Sequence, residues 1–291
     1  MIATRIREAL QAEAARGRSV DVRIGLGYTA VLTDSECAGV AYTPREDLEH
    51  GCSPFHEARP LAGRRLSDLL AYLESREPIE RAIGLATANA VVAALPPRSV
   101  TGGDILRALA LRPADRVGMV GCFEPLIAHL QTQVASLTIF ERSGGWMVGV
   151  QPAERALDLL PTCSVALITS TSLITESLDA LLEAAAGCRE VALLGPSTPL
   201  LPEVFADTPV TWLSGIRIEN PEKVLRVVSE GGGIRNFSPY VQKVNLRLPG
   251  RGEEASTRSR DGLQDQAGRI VRDAVAREAS RHPATGEEDT P

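Results

Sequence analysis

Between residues 115 and 215, five compact apolar runs alternate with helix-like segments, and this alternation constrains the fold more than any other feature of the chain. The runs are DRVGMVG (115–121), SLTIFE (136–141), CSVALITS (163–170), REVALLG (189–195) and PVTWLSG (209–215). Helical patterns separate most of them, over 125–134, 152–159, 174–187 and about 199–205. Strands that are apolar on both faces must be covered on both, which predicts a parallel sheet between helix layers. Right-handed crossovers then give a doubly wound, Rossmann-like domain.

The first third has a different rhythm. VDVRIG (20–25), YTAVLT (28–33) and AGVAY (38–42) are short, β-rich and separated by Gly, Asp and Ser, as in an antiparallel meander. RLSDLLAYLES carries Leu66, Leu69, Leu70 and Leu73 at helical spacing, with Ser67 or an earlier residue as its cap. PIERAIGLATANAVVAAL opens with Pro78 in its first turn and is apolar on nearly every side after Arg81, so it should lie buried between layers. The N-terminal 19 residues read as an amphipathic helix with Ile2, Ile6, Ala9 and Leu10 on one face. The break at Pro96-Pro97-Arg98-Ser99 divides the chain into an α+β domain over 1–97 and the Rossmann-like domain over 98–249. Residues 250–291 form a charged tail, expected to be disordered, within which 262–281 is a candidate partner-docking helix carrying Leu263, Ile270, Ala274 and Val275.

Composition narrows the function. Only 4% of residues are aromatic and the net charge is −6, which argues against stacking on single strands and against binding a phosphate backbone. No apolar stretch approaches a membrane span and the N-terminus lacks a signal-type core, so the cytosol is the expected location. Five cysteines, without a CxxC pair, do not suggest disulfides or structural zinc. HGCSPFHE gathers His50, Cys52, His56 and Glu57, donors for soft or borderline metals, but has no helical histidine pair, and the spacing assigns no metal site.

Ligands of open α/β sheets bind beyond the carboxyl ends of the strands. Here those ends carry GCFEP, with Gly121, Phe123 and Glu124; Glu141; TSTSLITES, with Thr169, Thr171 and Thr175; and GPSTP, with Gly195, Pro196 and Ser197. Small, hydroxylated or acidic residues at four ends of one rim predict a polar crevice. Glu141 lies where an acidic residue can meet a ribose, but the glycine loop is not G-x-G-x-x-G. Glu124 and Pro125 open the next helix, and a carboxylate there repels a phosphate. NAD in its usual pose is disfavoured, whereas an S-adenosylmethionine-like nucleoside remains compatible. A further candidate follows the helix capped by Asn220: Gly231 and Gly232 for close approach, and Arg235 to clamp a carboxylate. Thr198 and Pro199 are expected to cap and start the helix after GPSTP.

The segments GLATANA (84–90), GCFEPL, TSTSLITES, GPSTPLLPEVF and SEGGG occur in the order found in a bacterial and archaeal family associated with heavy-metal chelation, which the chain resembles over about 20–245. Thr175 and Ser177 stand where that family usually has asparagine and threonine. The resemblance implies an enolase-N-terminal-like domain joined to a Rossmann-like one, with a site formed by both. It also implies that Asn89 contacts the ligand or anchors one domain to the other.

Two readings follow beside an assembly role for the charged tail. One is a small-ligand or metal-complex binding protein of metal homeostasis, of a class that permits a homodimer, with neither nucleic acid nor membrane as partner. The other is an enzyme acting on a small polar metabolite, with an adenosyl-type cofactor in the crevice. No Ser-His-Asp order, nucleophile elbow or HExxH helix is present, and no general base is assigned.

Overall fold

The computed structural model describes residues 1–47, 59–142 and 149–248, of which Met1–Leu248 belong to one compact unit. The charged tail and the cluster of His50, Cys52 and His56 lie outside the described residues.

Helix α1 (Ile2–Ala14) buries Ile2, Ile6, Leu10 and Ala14, a strict four-residue repeat that leaves Ala9 exposed, against the expected face. Strands β1 (Ser19–Ile24), β2 (Tyr28–Thr33) and β3 (Ala38–Tyr42) form the anticipated antiparallel meander. Helix α2 (Leu66–Leu70) starts without a side-chain cap, since Ser67 already lies in its first turn. Helix α3 (Pro78–Ala94) is buried on nearly every side from Ile79 to Val91, as its apolar circumference requires. It lies so close to β3 that a Cβ on Gly39 would sit 2.2 Å from the Ala90 amide nitrogen and 2.3 Å from the Ala86 carbonyl oxygen.

The second sheet is built from β4 (Thr101–Gly102), α4 (Ile105–Ala108), β5 (Arg116–Val120), α5 (Glu124–Gln133), β6 (Ser136–Glu141), β7 (Val150–Pro152), α6 (Ala156–Leu159), β8 (Val165–Thr169), α7 (Leu178–Ala184), β9 (Glu190–Leu194), β10 (Trp212–Ile218), α8 (Pro221–Ser229), α9 (Ile234–Phe237) and β11 (Val241–Arg247). Its strand order is β4-β11-β10-β9-β8-β5-β6-β7. From β10 to β7 every pairing is parallel; β11 runs antiparallel between β10 and β4.

The architecture is the expected mixture of a small α+β element and a mostly parallel, Rossmann-like sheet, with local corrections. Strands β4, β7 and β11 are additional, and β10 starts at Trp212 rather than at 209. The helix expected over 174–187 begins only at Leu178, because a 3-10 turn (Ser170–Leu173) and Glu176, at φ 57°, come first. The segment 152–159 begins as a 3-10 turn (Ala153–Arg155). The helix expected over 199–205 is a single 3-10 turn (Pro202–Phe205), since Pro202 disfavours helical backbone at Leu201. Thr198 therefore caps no helix.

Replacing Gly39 by Ala should force α3 away from β3, because the obstructing atoms are backbone. The expected cost is about 3 kcal/mol or more, read as a lower urea midpoint with little change in slope.

Candidate ligand-binding site

Strand order reverses at β5, which lies between β6 and β8, so the crevice of the larger sheet opens where β5 and β8 end. Gly121 follows β5 with φ +89°, and a Cβ there would lie 3.0 Å from Thr169 Cβ, so glycine is needed twice over. Its amide donates to Phe140 O (2.8 Å). Glu141, at the end of β6, accepts from the Cys122 amide on Oε2 (2.9 Å) and from the Arg142 amide on Oε1 (2.8 Å). Both carboxylate oxygens thus shape the first loop, which leaves their remaining lone pairs for any ligand. Burial, and then the carboxylates of Glu141 and Glu124, push the Cys122 thiol above its ordinary value and keep it protonated.

The other rim residues are also engaged within the chain. The Thr169 hydroxyl accepts from the Thr171 amide (3.3 Å) and donates to the Thr171 hydroxyl (3.1 Å). Thr175 and Ser177 share a hydrogen bond (3.0 Å). Phe123 precedes α5, whose first residue, Glu124, accepts from Arg235 (2.8 Å) in an exposed pair. The expected clamp thus holds one of the protein's own carboxylates, a contact of about 1 kcal/mol at most. Gly231 (φ +77°) turns the chain after α8, and the Gly232 amide donates to Val227 O (2.9 Å), which closes the helix.

The small sheet meets this rim through the 195–199 turn. Gly195 (φ +115°) lets the turn close, with the Thr198 amide donating to Gly195 O (3.0 Å). The buried Ser197 hydroxyl accepts from the Tyr42 amide (2.8 Å), and Asn89 Nδ2 donates to Val40 O (2.9 Å) and Ser197 O (3.2 Å). Asn89 therefore joins α3, β3 and the turn.

Two ionic ties were missed because their partners are far apart in sequence. Arg81, buried in α3, donates from Nε to Ile174 O (2.5 Å) and pairs with Glu176 (3.1 Å). Arg142 donates two bonds to Asp47 (2.6 and 2.8 Å). A lone arginine in an apolar helix was the available signal for the first; nothing local announces the second.

A cavity of about 350 Å³ lies beside the 195–199 turn, with Cys37, Val40, Asn89, Pro196, Thr198 and Arg217 among its lining residues. Its walls are largely aliphatic, contributed also by Val92, Leu200, Ile216 and Leu246. The Thr198 hydroxyl is buried and has no hydrogen-bond partner among the described residues. Both amide hydrogens of Asn89 are spent on main chain, which leaves its Oδ1 as acceptor. The expected site residues thus divide: Asn89 and Pro196 line the cavity, whereas Gly121, Glu141, Thr169 and Thr171 lie at the ends of β5, β6 and β8. Among the described residues no group of three or more His, Cys, Asp or Glu side chains is placed to hold a metal ion, and no helix is long and apolar enough to cross a membrane.

Residues 104–247 match the family DUF364 and residues 7–92 match DUF4213, both described as "Putative heavy-metal chelation". An uncharacterized protein of Methanocaldococcus jannaschii is 26% identical over 237 residues, 79% of this chain and 90% of that protein. A solved DUF364 protein of unknown function from Pyrococcus horikoshii superimposes with a TM-score of 0.77 at 24% identity, over 85% of this chain and 100% of that one. A second, from Desulfitobacterium hafniense, gives 0.67 at 24% identity, over 83% and 98%. At that identity the likeness is one of fold.

The Asp47–Arg142 tie should make stability depend on acid. Hydrogen bonding to Arg142 outweighs burial and holds the Asp47 carboxyl below the usual carboxylate range. A depressed value stabilises the folded state above the unfolded value, about 3.9, and that contribution is lost as pH falls through the folded value. Wild type should exceed Asp47→Asn in urea midpoint at pH 7, and the gap should close below about pH 4.

Proposed function

The chain belongs to the heavy-metal chelation family, and on that premise we propose that it binds a small polar ligand or metal complex in the cavity beside the 195–199 turn. The observation that carries this reading is the cavity itself, of about 350 Å³, where largely aliphatic walls meet the polar lining residues Asn89 and Arg217.

The lining suggests what kind of ligand fits. A volume of about 350 Å³ is at the lower end of small-molecule pockets. Aliphatic walls suit the carbon skeleton of a chelator, while Asn89 Oδ1 and the Arg217 guanidinium suit its polar groups. Cys37 adds one soft donor at the edge. These are groups that recognise an organic complex, in which the chelator itself fills most of the metal's coordination sphere.

Calorimetry with Ni²⁺, Zn²⁺ and Cd²⁺, each as the free ion and as its citrate and histidine complexes, tests the proposal. At least one complex should bind more tightly than its free ion. Ala93→Trp, at the cavity's margin, should weaken that binding at least about tenfold by occlusion. Absence of binding by every complex, or binding indifferent to Ala93→Trp, would sink this reading.

A further inference from the structure

We propose that β1 is a homodimerisation edge, pairing antiparallel with β1 of a second copy in a register centred on Val22. β1 is the outer strand of the three-stranded sheet, so among the described residues one side of its ladder is open. The Gly25 amide donates to Tyr28 O, and antiparallel alternation then turns the Arg23 main chain towards β2 and the Val22 and Ile24 main chain outwards. At Ser19 the edge is closed: the Ser19 amide donates to Arg64 O (2.9 Å) and the Gly63 amide donates to Ser19 O (2.7 Å). A register irregularity between Ser19 and Asp21 makes Val20 the extra residue. The open edge is therefore residues 20–24.

Isolated proteins ordinarily protect such an edge with charge, proline or a covering segment. This one carries Val20 (54% exposed) and Ile24 (39%), followed by Leu26 (67%) in the turn. Three of the five exposed large apolar side chains among the described residues thus fall within one hairpin. The opposite edge of the same sheet is occupied, because the Tyr42 amide at the end of β3 is taken by Ser197. Among the described residues this sheet thus offers a single edge, so pairing closes at two copies rather than propagating.

Charge selects the register. Under a two-fold axis through Val22, Asp21 of each copy faces Arg23 of the other, and Val20 faces Ile24. A two-fold axis through Arg23 would instead set that guanidinium against its own copy, which like-charge repulsion disfavours. Asp21 and Arg23 already pair within the chain (2.8 Å) and remain about one-third exposed, so they can form a four-charge ring across the axis. The two small sheets become one six-stranded sheet.

The test is the mass of the full chain in solution, by sedimentation over a wide concentration range. A monomer of 31.1 kDa should give way to twice that mass as concentration rises. Asp21→Arg and Arg23→Asp should each raise the dissociation constant at least about tenfold. An equimolar mixture of the two variants should recover dimers, because each then offers the charges the other lacks. Arg23 also donates to the Ser229 hydroxyl (2.7 Å), so folding of that variant is checked by thermal unfolding. Val20→Lys, at an exposed side chain, provides a second break that leaves both charges in place. A wild type that stays monomeric to millimolar concentration overturns the proposal. So does a dimer indifferent to the single charge changes and to Val20→Lys, or a mixture that stays dissociated.

Discussion

The hydrogen bond from the Tyr42 amide to the buried Ser197 hydroxyl is the contact on which the geometry of this molecule turns. It satisfies a main-chain donor at the end of β3, which would otherwise be left unpaired against the larger sheet. It also fixes the side chain of the turn that follows β9, while Asn89 fixes the carbonyl of the same residue. One serine is thereby held by two elements of the small sheet's layer, β3 and α3. The close approach of those elements at Gly39 keeps their own spacing constant. The cavity's walls come from β3, α3, the turn and β10 together.

Many polar residues of the strand-end rim already have partners within the chain. In water a hydroxyl or carboxylate at a loop costs nothing, but at a junction between layers each must find a partner. Glu141 spends an oxygen on each of two amides, Thr169 closes its own turn, and Arg235 is paired with Glu124. These groups hold loops in place. The cavity itself offers the Asn89 acceptor, the Cys37 thiol and the Glu36, Arg98 and Arg217 side chains, between largely aliphatic walls. The Cys122 thiol, raised by burial and flanked by two carboxylates, would have to lose a proton before it could serve a metal.

How much of this was legible in the sequence depended on the range of the interaction involved. Strands β5, β6, β8 and β9 and helix α3 declared themselves because apolar character sustained over five to seventeen residues demands burial on more than one side. Strand β11 did not, since Gln242 and Lys243 are exposed and interrupt any apolar run. The glycines after α8 looked like a ligand loop, yet a positive φ at Gly231 and a main-chain bond from Gly232 account for both as helix closure. Asn89 was visible as an amide in an apolar helix, a placement that demands hydrogen-bond partners. Its partners, 49 and 108 residues away, were not.

Thr198 shows the limit most clearly. Beside Pro199 it has the local pattern of a helix cap, and local pattern is all that a cap requires. Pro202, four residues on, disfavours helical backbone at Leu201 and shortens the helix to one 3-10 turn. The hydroxyl that would have closed a helix is instead left buried, with no hydrogen-bond partner among the described residues. A second proline thus converts a helix cap into a buried, unpaired hydroxyl. The conversion follows from backbone sterics and burial alone, independently of any likeness to other proteins.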